Sequence, residues 1–193
     1  MRSDKGFSVE GCKMKVFTPL GSEGFELCHP VSTDDFETLN VLVDGTPRTA
    51  GWSPPPMHII REDQGEVLVE SDSPWLGSHA LIFRSKAASA LRDMLLHDGE
   101  VLSLPCGGEN LALFNPRVID GALDLNASTV LRFGSGRIMR ITKHVFDNRV
   151  VAGVHAFKIP DLRVSPTFVT ERFVNAWTSA GLRGLDFRPV WEG

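Results

Sequence analysis

Asp120 and Asp124 stand four residues apart in "LFNPRVIDGALDLNAS" (residues 113–128), with Asn115 before them and Ser128 closing the stretch. On a helix, carboxylates at that spacing share a face, as a metal site or an acid–base pair requires. The same residues also carry a purely local role. Pro116 suits the first position of a helical turn over "PRVIDGALD", with Asn115 as its N-cap. Asp124 leads into "LNAS", where short polar side chains bond their own backbone and set a turn. The expectation is a structural corner made by Asn115, Pro116, Asp120, Asp124 and Ser128, with no catalytic or metal-binding role.

Other combinations give less. The six histidines, at 29, 58, 79, 97, 144 and 155, show no HxH, HxxxH or HExxH spacing, so no metal site is expected from local motifs. Cys106 in "SLPCGGE" is followed by two glycines whose amides could face an oxyanion, but a reactive thiol needs a supporting base. The expectation is a turn between "EVLSL" and "NLALF" with Cys106 as a small, semi-buried residue. "RFGSGR" has too few glycines, in the wrong order, for a phosphate loop and reads as a hairpin turn. No cofactor is implied.

The elements that must position these residues are mostly short strands. "MKVFTPL", "MHIIR", "EVLVE", "ALIFR", "NLALF", "STVLRF", "RIMRITKHVF" and "VVAGVHAFKI" are rich in β-branched and aromatic residues between turn signals. "REDQG", "GSGR" and "FDNR" connect neighbours closely enough to make them antiparallel. Two helices are expected. One lies in "SKAASALRDMLLHDGE", with Ala87, Ala88, Leu91, Met94 and Leu95 on one face. The other lies in "TERFVNAWTSAGLRG", with Thr170 as N-cap, an apolar stripe of Phe173, Val174, Trp177 and Ala180, and Gly181 past its end. Shorter helical turns are expected at "STDDFETL" and "PRVIDGALD". The result is an α+β fold: a twisted, mainly antiparallel sheet with two principal helices and several short helical turns. Residues 1–13 read as a disordered tail and 14–193 as a single domain.

Composition narrows the function classes. Three widely spaced cysteines without CxxC point to reduced thiols in a cytoplasm. No apolar run reaches membrane-spanning length, and the N-terminus lacks a secretory h-region. The net charge of −4 divides into −7 for residues 1–100 and +3 for residues 101–193. The mild basic excess is no nucleic-acid footprint. The acidic half concentrates nine carboxylates in "TDDFETLNVLVDG" and "REDQGEVLVESD", a surface suited to steering a basic partner. Asp34, Asp35, Glu37, Asp44, Glu62, Asp63, Glu66 and Asp72, with Trp75 in "SDSPWLG", are the expected partner-binding residues. Trp52, Trp177 and Trp191 are expected to be core or structural residues.

"LFNPRVIDGALDLNAS", the basic-aromatic hairpin after it and "FVTERFVNAWTSAGLRGLDFRPVW" resemble a family of bacterial immunity proteins. It is the family numbered eleven, formerly only a domain of unknown function, whose members are antidotes encoded beside toxins in polymorphic toxin systems. The resemblance rests on Asn115, Asp120, Leu123, Asp124 and Ser128, then Thr170, Phe173, Gly181, Leu182, Gly184, Phe187 and Trp191. "GWSPPP" and "DGEVLSL" extend it over roughly residues 50–193. These motifs are turns, helix faces and core aromatics, so the resemblance implies a binding protein whose partner is a cognate toxin domain. The competing expectations are a small hydrolase or other enzyme with a site at Cys106 or at Asp120 and Asp124, and a ligand-binding module without a protein partner.

Overall fold

A computed structural model describes residues 13–193. Residues 1–12, with Cys12 and nearly all of the expected tail, lie outside the described residues. In chain order the elements begin with β1 (Lys15–Gly21), β2 (Leu27–Pro30), α1 (Asp35–Leu42), β3 (Met57–Ile60), β4 (Glu62–Asp63), β5 (Glu66–Val67) and β6 (Leu81–Phe83). The middle comprises α2 (Ser85–Ala90), α3 (Arg92–Asp98), β7 (Gly99–Cys106), β8 (Glu109–Pro116), β9 (Thr129–Arg132) and β10 (Ile138–Lys143). The last part comprises α4 (Asn148–Val151), β11 (Ala156–Phe157), β12 (Phe168–Thr170), α5 (Glu171–Ser179) and β13 (Leu185–Glu192).

These form two sheets and two separate hairpins. The five-stranded sheet has the order β2-β3-β7-β8-β6 and the four-stranded sheet the order β11-β12-β1-β13. β9 with β10, and β4 with β5, pair on their own. Among the described residues, the named strands pair antiparallel except β3 with β7, which meet in parallel at Met57 and Cys106. The fold is therefore α+β and mainly antiparallel, as expected, but with two sheets in place of one.

Period-two patterning explains the layers. On β7, Leu102, Leu104 and Cys106 are buried while Val101, Ser103 and Pro105 are exposed. On β8, Leu111 and Leu113 join Leu39, Val43, Cys28 and Met57 in a core beneath α1. Phe114 lies on the other face with Phe83, Leu91, Leu95, Phe173 and Trp177, so α2, α3 and α5 share one core that also takes Val169 and Ala156 from the four-stranded sheet. The remaining face of that sheet buries Val16, Phe157 and Phe168 against Phe146, Ala122 and Leu123. Its aromatic rings sit 5.2–5.8 Å apart, mostly edge to face.

Several local expectations change. The first long helix is two, broken at Leu91, whose φ of −101° and ψ of 4° leave the helical well. "VVAGV" is not a strand: Asp147 caps α4 by accepting the Arg149 amide, and that cap prevails over the β-branched propensity of Val150 and Val151. "PRVIDGALD" is not a helical turn. Pro116 ends β8, Val118 bridges Lys158 and Leu123 bridges Phe146, with a turn at Asp120–Gly121 between them. Asn115 is therefore no N-cap; its buried side chain accepts from the Gly45 amide and donates to the Thr46 carbonyl, both at 2.9 Å. The C-terminal helix forms where expected, with Phe173 and Trp177 buried and Gly181 at φ +60°, but the Thr170 hydroxyl at its start donates to the Val154 carbonyl in place of capping the helix.

Candidate functional site

Of the residues weighed for chemistry, Cys106 and Asp124 are engaged elsewhere. Cys106 is buried, not semi-buried, with its Sγ 3.7 Å from that of Cys28 across β3. Burial pushes both thiols up from their ordinary range, Cys28 also through its neighbour Cys106. A protonated, enclosed thiol is a poor nucleophile. Asp124 accepts the Asn126 and Ala127 amides at 2.9 and 3.1 Å, while its own amide donates to the Val145 carbonyl. The Ser128 hydroxyl accepts the Val145 amide at 3.0 Å. Asp120 is exposed at the turn. These bonds tie residues 124–128 to the chain at Val145, just past β10.

The acidic residues do not form one surface. β2 and β3 run antiparallel, with Pro30 opposite Met57 and Leu27 opposite Ile60. The α1 carboxylates follow the Pro30 end, whereas β4 and β5 follow the Ile60 end. Asp34, Asp35 and Glu37 thus lie at the opposite end of this strand pair from Glu62, Asp63 and Glu66. Asp44 accepts the Thr46 amide and pairs with Arg48 at 3.0 Å. Asp72 accepts the Arg183 amide at 2.8 Å and pairs with Lys86, which fastens the chain before β13. Trp75 is not an exposed anchor: it is half-buried in the central core and lies against Gly21. Of the other tryptophans, Trp177 is buried, Trp52 donates to the Ser103 carbonyl and Trp191 packs on Phe146.

The β4–β5 hairpin is the most accessible acidic element. Glu62, Asp63, Glu66 and Glu70 are all exposed, and Val67 beside them is 83% exposed. Asp63 directly faces Glu66 across the two strands, and like charges so placed destabilise a hairpin. Just before it, Arg61 enters an ion network. Buried Glu26 pairs with Arg61 at 3.1 Å and with Arg84 at 2.5 Å, and Glu109 binds both arginines. That network anchors the base of the hairpin to β6 and β8.

One cluster escapes any reading of local spacing. The buried Asp98 carboxylate lies between His97, with Nδ1 at 2.7 Å, and His155, with Nδ1 at 3.0 Å. It also accepts the amides of His155 and Ala156. His155 lies 57 positions beyond Asp98, and only the packing of α3 against β11 brings them together.

The second half of the chain supplies the clue to family. Residues 116–192 match the Imm11 immunity protein family. No curated protein sequence gives a significant match. The Imm11 match takes in the 120–128 corner, the β9–β10 hairpin, α4, α5 and β11 to β13. It stops short of "GWSPPP", "DGEVLSL" and both acidic stretches. The Imm11 segment is not structurally closed, however. β1 lies between its strands β12 and β13, pairing Phe17 with Val169 on one side and Pro19 with Phe187 on the other. Among the described residues, no helix is long and apolar enough to cross a membrane.

Proposed function

We propose that this chain is an immunity protein that binds and neutralises a cognate bacterial toxin in the cytoplasm, without turning over a substrate. The observation that carries the proposal is the Imm11 match over residues 116–192. We further propose that residues 14–193 act as one domain, since β1 completes the sheet of the matched segment.

The geometry supports a binding role over the hydrolase reading. Cys106 is sealed and Asp124 is committed to a turn, whereas the β4–β5 hairpin presents an uncompensated charge conflict. A protein that keeps Asp63 opposite Glu66 gives up local stability at that point, and departures of this kind concentrate at functional sites. Three exposed carboxylates around an exposed valine suit a basic partner surface, with charge steering encounter and Val67 entering the contact.

The test is co-expression with the toxin encoded beside it. Growth is rescued and a complex co-purifies. Replacing Glu62, Asp63 and Glu66 by their amides slows association and flattens its salt dependence, and leaves folding intact or improved. The matching triple amide at Asp34, Asp35 and Glu37, at the other end of β2–β3, separates the two acidic elements. Failure to rescue or to form a complex overturns the immunity reading. An unchanged association rate in the hairpin variant overturns only the assignment of the surface.

A further inference from the structure

We propose that His97, Asp98 and His155 form a binding site for a divalent metal ion of the zinc class. One donor atom from each of the three lies within 4.8 Å of the other two. Two imidazole nitrogens with one carboxylate oxygen is the donor set of open, three-ligand sites for zinc and neighbouring transition metals.

The surroundings of Asp98 fit that role. Its side chain is 1% exposed, and one oxygen, Oδ2, accepts the His155 and Ala156 amides at 2.8 and 3.0 Å. Those bonds fix the carboxylate as outer-shell contacts fix a ligand. Among the described residues, the hydrogen-bond partner of the other oxygen, Oδ1, is His97 Nδ1, at 2.7 Å. Arg117 holds the backbone behind the cluster, donating to the carbonyls of His97 and Asp98. The two rings stand nearly perpendicular, 5.5 Å apart, so both present a nitrogen toward the same carboxylate.

A cation here takes the place of the close contacts between the carboxylate and the two imidazole nitrogens. Ligand atoms of a tetrahedral zinc ion lie about 3.3 Å apart, given bonds near 2.0 Å. His97 Nδ1 must therefore withdraw by about half an ångström from Oδ1. At 55% exposure its side chain has room to do so, while His155, at 18%, stays held. The solvent side of His97 leaves the fourth position to water. Such an ion clips the end of α3 to the start of β11.

The experiment uses the full chain, untagged and stripped with chelator, titrated with Co²⁺ and then displaced by Zn²⁺. The expected result is one equivalent of cobalt with visible d–d absorption and no intense thiolate charge-transfer band. His97→Ala weakens binding by about tenfold or more, whereas His58→Ala, on the exposed face of β3, binds like wild type. His155→Ala behaves as His97→Ala does; should it misfold, the exposed His97 variant carries the test. The proposal is overturned by an absence of saturable binding at about 1 mM metal, by unchanged affinity in His97→Ala, or by a charge-transfer band placing the metal on cysteine.

Discussion

Replacing Lys158 with methionine changes how stability responds to pH above neutrality. Lys158 is 2% exposed, and its ammonium donates to the Val43 carbonyl. Burial lowers its pKa from 10.5 to about 8, with Asp44 acting in the opposite sense. The unfolded chain therefore holds the proton up to pH 10.5 and the native chain only up to about 8. Between those values the unfolded state binds more protons, so native stability rises with pH; the gain is complete above 10.5 and lost as pH falls through 8. A shift of this size corresponds to about 3 kcal/mol. Methionine removes that dependence but leaves the Val43 carbonyl unpaired, at a cost of about 1–3 kcal/mol. The variant should thus equal or exceed wild type at pH 7 and fall below it at pH 10.5. Urea unfolding followed by tryptophan fluorescence across this range measures the difference. Parallel stability curves, differing by a constant amount at every pH, would show that the buried ammonium carries no such penalty.

The acid side should respond to His79, whose pKa falls from 6.5 to about 4 through burial and then the nearby Lys158 charge. Its contribution is full above pH 6.5 and lost as pH falls through 4, so His79→Gln should blunt acid unfolding in that window, read by circular dichroism. Arg84→Met strips buried Glu26 of its closest partner and should lower stability by about 3 kcal/mol or more, visible as a large fall in Tm. Gly184 has φ +103°, and a Cβ there would stand 1.8 Å from Ser71 Oγ. Gly184→Ala should therefore cost more than Gly181→Ala, where φ is +60° but the space is open. Equal melting temperatures for the two would refute the close-approach argument.

Legibility from sequence followed how local each determinant is. The α5 helix was readable because Phe173 and Trp177 mark one face and Gly181 marks its end, all within a dozen residues. The "GSGR" and "CGGE" turns were readable for the same reason. Asn115 was misread because its partners, Gly45 and Thr46, lie some seventy residues away. The acidic stretches looked like one patch because sequence does not show that β2 and β3 send them to opposite ends. His97 and His155 carry no spacing motif at all; α3 and β11 alone bring them together. Trp75 looked exposed among Ser, Asp and Pro, yet its bridge to Leu27 draws it against Gly21.

The place of β1 between β12 and β13 has a consequence for biosynthesis. Residues 15–21 leave the ribosome roughly 150 residues before either neighbour, a wait on the order of ten to thirty seconds at ordinary elongation rates. Through that interval both edges of the strand are open, and Val16 and Phe17, which pack on opposite faces of the finished sheet, have nothing to cover them. The five-stranded sheet, whose strands all precede residue 117, can assemble meanwhile. Completion of the four-stranded sheet falls to the late segments β12 and β13, so a nascent chain stalled before residue 168 leaves β1 without either of its partner strands, an open edge prone to pairing with another chain.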